Sequence, residues 1–113
     1  MPANRRLTYR ERITHYCEAH GIAMPPNFDI ASASCRYAVI DATDHPATIH
    51  PRTAYDRKNV VAFLQRPENS GRTLRVFDFR AGREFRLGSD AVLVECARFD
   101  PTYPGEVLHL VAP

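Results

Sequence analysis

The sequence predicts an α+β domain: a two-layer arrangement with a mainly antiparallel sheet of four to five strands, one helix packed on a face, and an N-terminal helix at an edge or on the far side. Three observations lead there. Segments near 8–20 and 53–65 carry helix-start signals and apolar residues at helical spacing. From residue 73 onward the apolar residues recur with a period of two. Leu, Ile, Val and Phe number 26 of 113 residues, enough to bury one core, so residues 1–113 are expected to form a single domain.

The first helix is marked at both ends. Thr8-Tyr9-Arg10-Glu11 has the form of a capping box, in which the Thr hydroxyl accepts from the third helical amide while Glu11 reaches back to the Thr8 amide. Gly21 supplies a left-handed stop, and Ile22 can fold back over the last turn. Tyr9, Ile13, Tyr16, Cys17 and His20 fall on one face, a weakly apolar stripe suited to lying on the domain. Residues 22–34, with Pro25, Pro26 and small polar side chains, read as a long connection. Residues 36–41 read as a strand, followed by a loop at Thr43-Asp44-His45-Pro46. The second helix is expected over about 53–65, opened by Thr53 and Asp56 and ended by Pro67.

Strands are then expected at about 73–80, 83–88, 91–99 and 106–112. At Arg80-Ala81-Gly82-Arg83 a three-residue loop with a glycine bulge is preferred, because it sets Phe77 against Phe85 and Phe79 against Arg83. That register places Phe77, Phe79, Phe85 and Leu87 on one buried face and Asp78 against Glu84. The terminal strand Val-Leu-His-Leu-Val looks apolar on both faces. It is therefore either central in the sheet or an edge that another chain covers.

Charge and cysteine usage restrict the function classes. The net charge is only +2, although residues 72–86 contain five Arg. Of the fifteen basic residues, fourteen are Arg and only Lys58 is Lys, a composition suited to planar, bidentate recognition of carboxylate or phosphate. Cys17, Cys35 and Cys96 are few and widely spaced, unlike a disulfide framework, which points to a reducing, cytoplasmic setting. Apolar runs such as 91–94 and 107–111 are far too short to cross a bilayer, and no apolar signal core follows the N-terminal Met-Pro-Ala-Asn-Arg-Arg. No membrane association and no cofactor are expected.

Four groups of residues are candidates for function. Asp41, Asp44, His45 and His50, with Arg52, Tyr55 and Asp56 nearby, have the donor types for a divalent metal or an Asp–His general base. The same residues also make good turn and cap chemistry. Cys17 and His20, three apart on a helix, could share a metal with Cys35 and a loop histidine, but no second paired-ligand motif supports it. Ser32, Ser34 and Cys35 lack the glycine-rich setting of an activated nucleophile. Finally, the preferred hairpin register leaves Leu74, Val76, Arg80 and Arg86 together on the face opposite the phenylalanines, a mixed apolar and cationic surface of the kind found at protein interfaces.

The leading expectation is an interaction module, a homodimer or a regulator or inhibitor that occupies a partner surface without chemistry of its own. A second is nucleic-acid binding through Arg5, Arg6, Arg10, Arg12 and the 72–86 hairpin. A third is a small metal-assisted or acid–base enzyme at Asp41, Asp44, His45 and His50.

Overall fold

The computed structural model describes residues 8–30, 34–99 and 107–110. The elements in order are helix α1 (Tyr9–His20), strands β1 (Tyr37–Asp41) and β2 (Thr48–Ala54), helix α2 (Arg57–Leu64), a single 3-10 turn (Pro67–Asn69), and strands β3 (Leu74–Asp78), β4 (Arg83–Leu87), β5 (Leu93–Phe99) and β6 (Val107–Leu110). The fold is α+β, with an antiparallel sheet in the order β2-β1-β3-β4-β5-β6. Arg5 and Arg6 lie outside the described residues.

Helix α1 forms as its local signals require. The Thr8 hydroxyl accepts from the Glu11 amide at 3.1 Å, and the Thr8 amide donates to Glu11 Oε1 at 2.9 Å. Gly21 takes φ 63°, and the Ile22 amide closes the last turn on the Cys17 carbonyl at 2.8 Å. Helix α2 starts later than the expected 53–65. Asp56 itself is the N-cap, accepting from the Asn59 amide at 2.7 Å, while Thr53 belongs to β2.

β2 is the sixth strand, one beyond the expected four to five, and it contains Pro51. Proline lacks an amide donor and reads as loop, yet an edge strand tolerates it, and the β1–β2 register shifts between Ala38 and Ile40 at this place. The long 22–34 connection is not idle. Its Ile22 and Phe28 are buried, Met24 and Ile30 are partly so, and the backbone of 23–29 runs along the outer side of β2.

The two helices cover opposite faces, α1 on the far side from α2. Ile13, Tyr16 and Cys17 of α1 join Ala38, Ile40, Ile49, Phe77 and Phe79 in one buried cluster. Val60 and Leu64 of α2 join Tyr37, Val39, Val76, Phe85 and Leu93 in a second. Successive residues of β1 and β3 therefore point alternately into two apolar layers.

The β3–β4 hairpin corrects the preferred register. Asp78 pairs with Arg83, Phe77 with Glu84 and Val76 with Phe85. The loop holds four residues, 79–82, with the Gly82 amide donating to the Asp78 carbonyl at 2.8 Å and Gly82 at φ 67°. Asp78 stabilises this loop by accepting from the Arg80 and Ala81 amides at 3.1 and 3.0 Å. One additional loop residue moves Phe85 to the α2 face while Phe77 stays on the α1 face. Phe77, Phe79 and Phe85 are all buried, but in two layers.

Candidate functional site

The expected interaction face does not exist as one surface. Val76 is fully buried on the α2 face and Leu74 packs beside it. Arg86 is exposed and, two residues from Glu84 along β4, lies on the α1 face. Arg80 lies in the hairpin loop, donating through Nε to the Cys35 carbonyl at 2.9 Å with its guanidinium 5.1 Å from the Tyr9 ring. The cause is the register: with both sheet faces covered, the side chains opposite the phenylalanines enter a second core.

The Asp/His group is likewise divided. Asp41, at the end of β1, accepts from the Thr43 amide at 3.0 Å and from Arg72 at 2.7 and 2.8 Å. Burial alone would raise its pKa, but the Thr43 hydrogen bonds and the Arg72 guanidinium together hold the carboxyl below its ordinary range. Asp41 is thus committed as an anion that ties β1 to the turn before β3. Asp44 and His45 are exposed in the loop. His50 lies in β2, its ring edge on Phe63 at 4.8 Å, and its Nδ1 accepts from the Arg52 amide at 3.2 Å, which places the neutral ring's proton on Nε2. Asp41, Asp44 and His50 border a cleft of about 330 Å³ with Phe63 and Arg72; His45 does not line it. Among the described residues no three His, Cys, Asp or Glu side chains come together in a metal-binding group, and this includes Cys17 with His20.

The arginines recognise the protein's own acceptors. Arg12 Nη1 donates to the carbonyls of Phe79 and Arg80 at 3.1 and 3.0 Å, fastening α1 to the hairpin loop. Arg10 reaches the Phe28 carbonyl at 3.4 Å and lies 3.7 Å from Asp29. Arg36 pairs with buried Asp78 at 2.9 Å, Arg75 with Glu84 at 3.5 Å and Arg83 with Glu95 at 3.2 Å. A guanidinium offers five donors in a fixed fork, so one side chain can bind two acceptors at a loop crossing where an ammonium would bind as a point charge. Arg10 and Arg12, expected to face nucleic acid, are used in this way.

Sequence reasoning missed a buried polar group beneath α1. Glu84 is only 8% exposed. It accepts from the Tyr16 hydroxyl, lies 3.4 Å from Cys96 Sγ through Oε2, and faces Arg75. Tyr16 stacks on Phe77 with centroids 3.9 Å apart and planes 5° from parallel, and His20 lies 4.6 Å from the same ring. Burial, reinforced by the Glu84 charge, raises the Tyr16 hydroxyl far above its ordinary pKa. Burial likewise pushes Cys17 to about 12 and Cys96 to about 11, so neither thiol supplies a nucleophile near neutral pH. Cys35 is buried. The signal was present in principle: a Glu in alternation with Phe85 belongs on the other face, and that face proved to be interior.

The two sheet edges differ. Along β2 the 22–29 segment supplies partners: the Ala23 amide donates to Ala47 at 2.7 Å, the Ile49 amide to Ala23 at 3.0 Å and the Asp29 amide to Pro51 at 3.2 Å. β6 pairs with β5 on its inner side, and among the described residues its outer side has no strand beside it. No helix among the described residues is long and apolar enough to cross a membrane. The chain matches no protein-family model, no curated protein and no solved structure.

Proposed function

We propose that this chain is a protein-interaction module, a regulator or inhibitor that works by occupying a partner surface, and that β6 is its docking strand. The observation that carries the reading is the contrast between the sheet's two edges. β2 is sealed by a loop and by Pro51, whereas β6, Val-Leu-His-Leu, is an apolar segment whose outer backbone row has no strand beside it among the described residues. Strand addition at such an edge gains main-chain hydrogen bonds for little structural change. The occupant proposed is β6 of a second copy in antiparallel pairing across a two-fold axis, since closed pairing leaves no template for further growth. The internal commitment of Arg10, Arg12, Arg36, Arg75 and Arg83 favours this reading over nucleic-acid binding.

Light scattering on the full chain over a concentration series tests it, with Leu108→Lys and His109→Lys as edge-blocking variants. The expected result is a dimer for the wild type and a monomer for both variants, with unchanged circular dichroism. A wild type that stays monomeric throughout, or variants that stay dimeric, overturns it.

A further inference from the structure

A second surface lies between the exposed side of α2 and the turn that joins β4 to β5. It forms a groove of about 460 Å³, walled by Arg57, Lys58, Val61 and Ala62 on the helix, Gln65 at its C-cap, Ala91 and Val92 on the turn, and Leu93 at the start of β5. The helical set falls at i, i+1, i+4, i+5 and i+8, one face of α2, while Val60 and Leu64 point to the core.

Two features make this groove more than a shallow seam. Val92 is 58% exposed, one of the few large apolar side chains left to solvent, whereas the next residue, Leu93, is buried. Ala91 holds φ 57°, a left-handed conformation unfavourable for a residue with a Cβ, and non-glycine strain of this kind concentrates at functional positions. The turn is fixed by the Gly88 amide on the Val92 carbonyl at 2.7 Å and the Ala91 amide on the Gly88 carbonyl at 3.2 Å. A Cβ at position 88 would meet Val94 Cγ2 at 3.0 Å and the Val92 carbonyl at 3.1 Å, so the backbone closes tightly at this point.

The charge of the groove has one sign. Among the described residues its ionisable lining residues are Arg57 and Lys58, both cationic; Asp90, in the turn, does not line it. Arg57 is oriented in advance, its guanidinium 5.0 Å from the Phe85 ring and its Nε donating to the Tyr37 hydroxyl at 3.3 Å. An oriented cation beside an apolar trough complements a carboxylate that sits next to an aliphatic side chain.

We infer that this groove docks an acidic, leucine-rich peptide segment of a protein partner, its aliphatic side chains against Val61, Ala62 and Val92 and its carboxylates at Arg57 and Lys58. The inference rests on the reading of the chain as an interaction module but uses a different surface from β6.

The test is a titration of isotopically labelled full chain with the peptide Ac-Glu-Leu-Glu-Leu-Glu-amide, followed by amide shifts and repeated with the lysine counterpart Ac-Lys-Leu-Lys-Leu-Lys-amide. Saturable shifts confined to residues 57–65 and 88–93, with binding weakened about tenfold by Lys58→Glu and by Val92→Ser, are expected. Both substituted side chains are surface-exposed, so the variants retain the fold. Shifts that fall elsewhere, no shifts at millimolar peptide, or equal binding of the lysine peptide would overturn it. Loss of dimer mass in Val92→Ser would also overturn it, because the groove would then belong to a second copy. Peptide binding retained by monomeric Leu108→Lys separates the two surfaces: failure of the groove leaves the β6 dimer standing, and the reverse holds.

Discussion

The Tyr16 hydroxyl donates to the Glu84 carboxylate, joining the middle of α1 to strand β4 in a site from which water is largely excluded. Arg75 balances the charge from β3 and Cys96 adds a weak donor from β5, so four elements meet at one carboxylate. A buried anion is costly unless paired and hydrogen-bonded, and here the pairing also fixes how α1 sits on the sheet.

Tyr16→Phe keeps the stack on Phe77 and removes only the hydroxyl. It should destabilise the fold by about 1 to 3 kcal/mol, the cost of leaving a buried acceptor short of a donor. Urea unfolding followed by circular dichroism measures this; an unchanged midpoint would show that Glu84 does not depend on Tyr16.

His20 links stability to pH. His20 is exposed as a residue, but partial desolvation of its ring against Tyr16 is the main influence and lowers its pKa below 6.5, with Glu84 opposing and Arg75 acting in the same direction. The unfolded chain then binds the proton more readily than the folded one. The contribution is complete above 6.5 and is lost as pH falls through the folded value. His20→Gln should therefore flatten the fall in melting temperature between about pH 7 and pH 5. Equal slopes for wild type and variant would disprove this linkage.

The thiols of Cys17 and Cys96 should resist alkylation in the native state. Their pKa values of about 12 and 11 leave almost no thiolate at pH 8, and Cys17 is buried as well. Mass spectrometry after iodoacetamide should find these two positions modified promptly only in denaturant. Rapid native labelling of either would contradict the burial described.

Asp78 should be the most sensitive acid in the β3–β4 hairpin. It accepts from Arg36 and from the Arg80 and Ala81 amides while almost wholly buried. Asp78→Ala should cost about 2 to 3 kcal/mol. Gly82→Ala, which forces a Cβ into φ 67°, should cost about 1 kcal/mol. Thermal melts of both variants measure the losses, and a neutral Asp78→Ala would remove the role assigned to the loop.

Parts of the candidate surfaces were legible before folding. An almost pure arginine complement announced bidentate recognition, though not that Arg12 and Arg36 would spend it on the protein's own carbonyls and carboxylate. The terminal apolar strand was readable as an edge or a centre, and among the described residues it lies at the edge. The groove beside α2 was not readable, because Val61 and Val92 are brought together only when the β4–β5 turn reaches the helix.

The sequence by itself determined what a few neighbouring residues can settle: the capped start and glycine stop of α1, and the alternating strands. Those signals act over three or four residues and need no distant partner. Tertiary structure alone decided the face to which each phenylalanine turned, the pairing of Pro51's segment as an edge strand, and the burial of Glu84 under Tyr16. Alternation separates two faces without saying which is interior, and when helices cover both, only the summed packing of distant segments chooses the register.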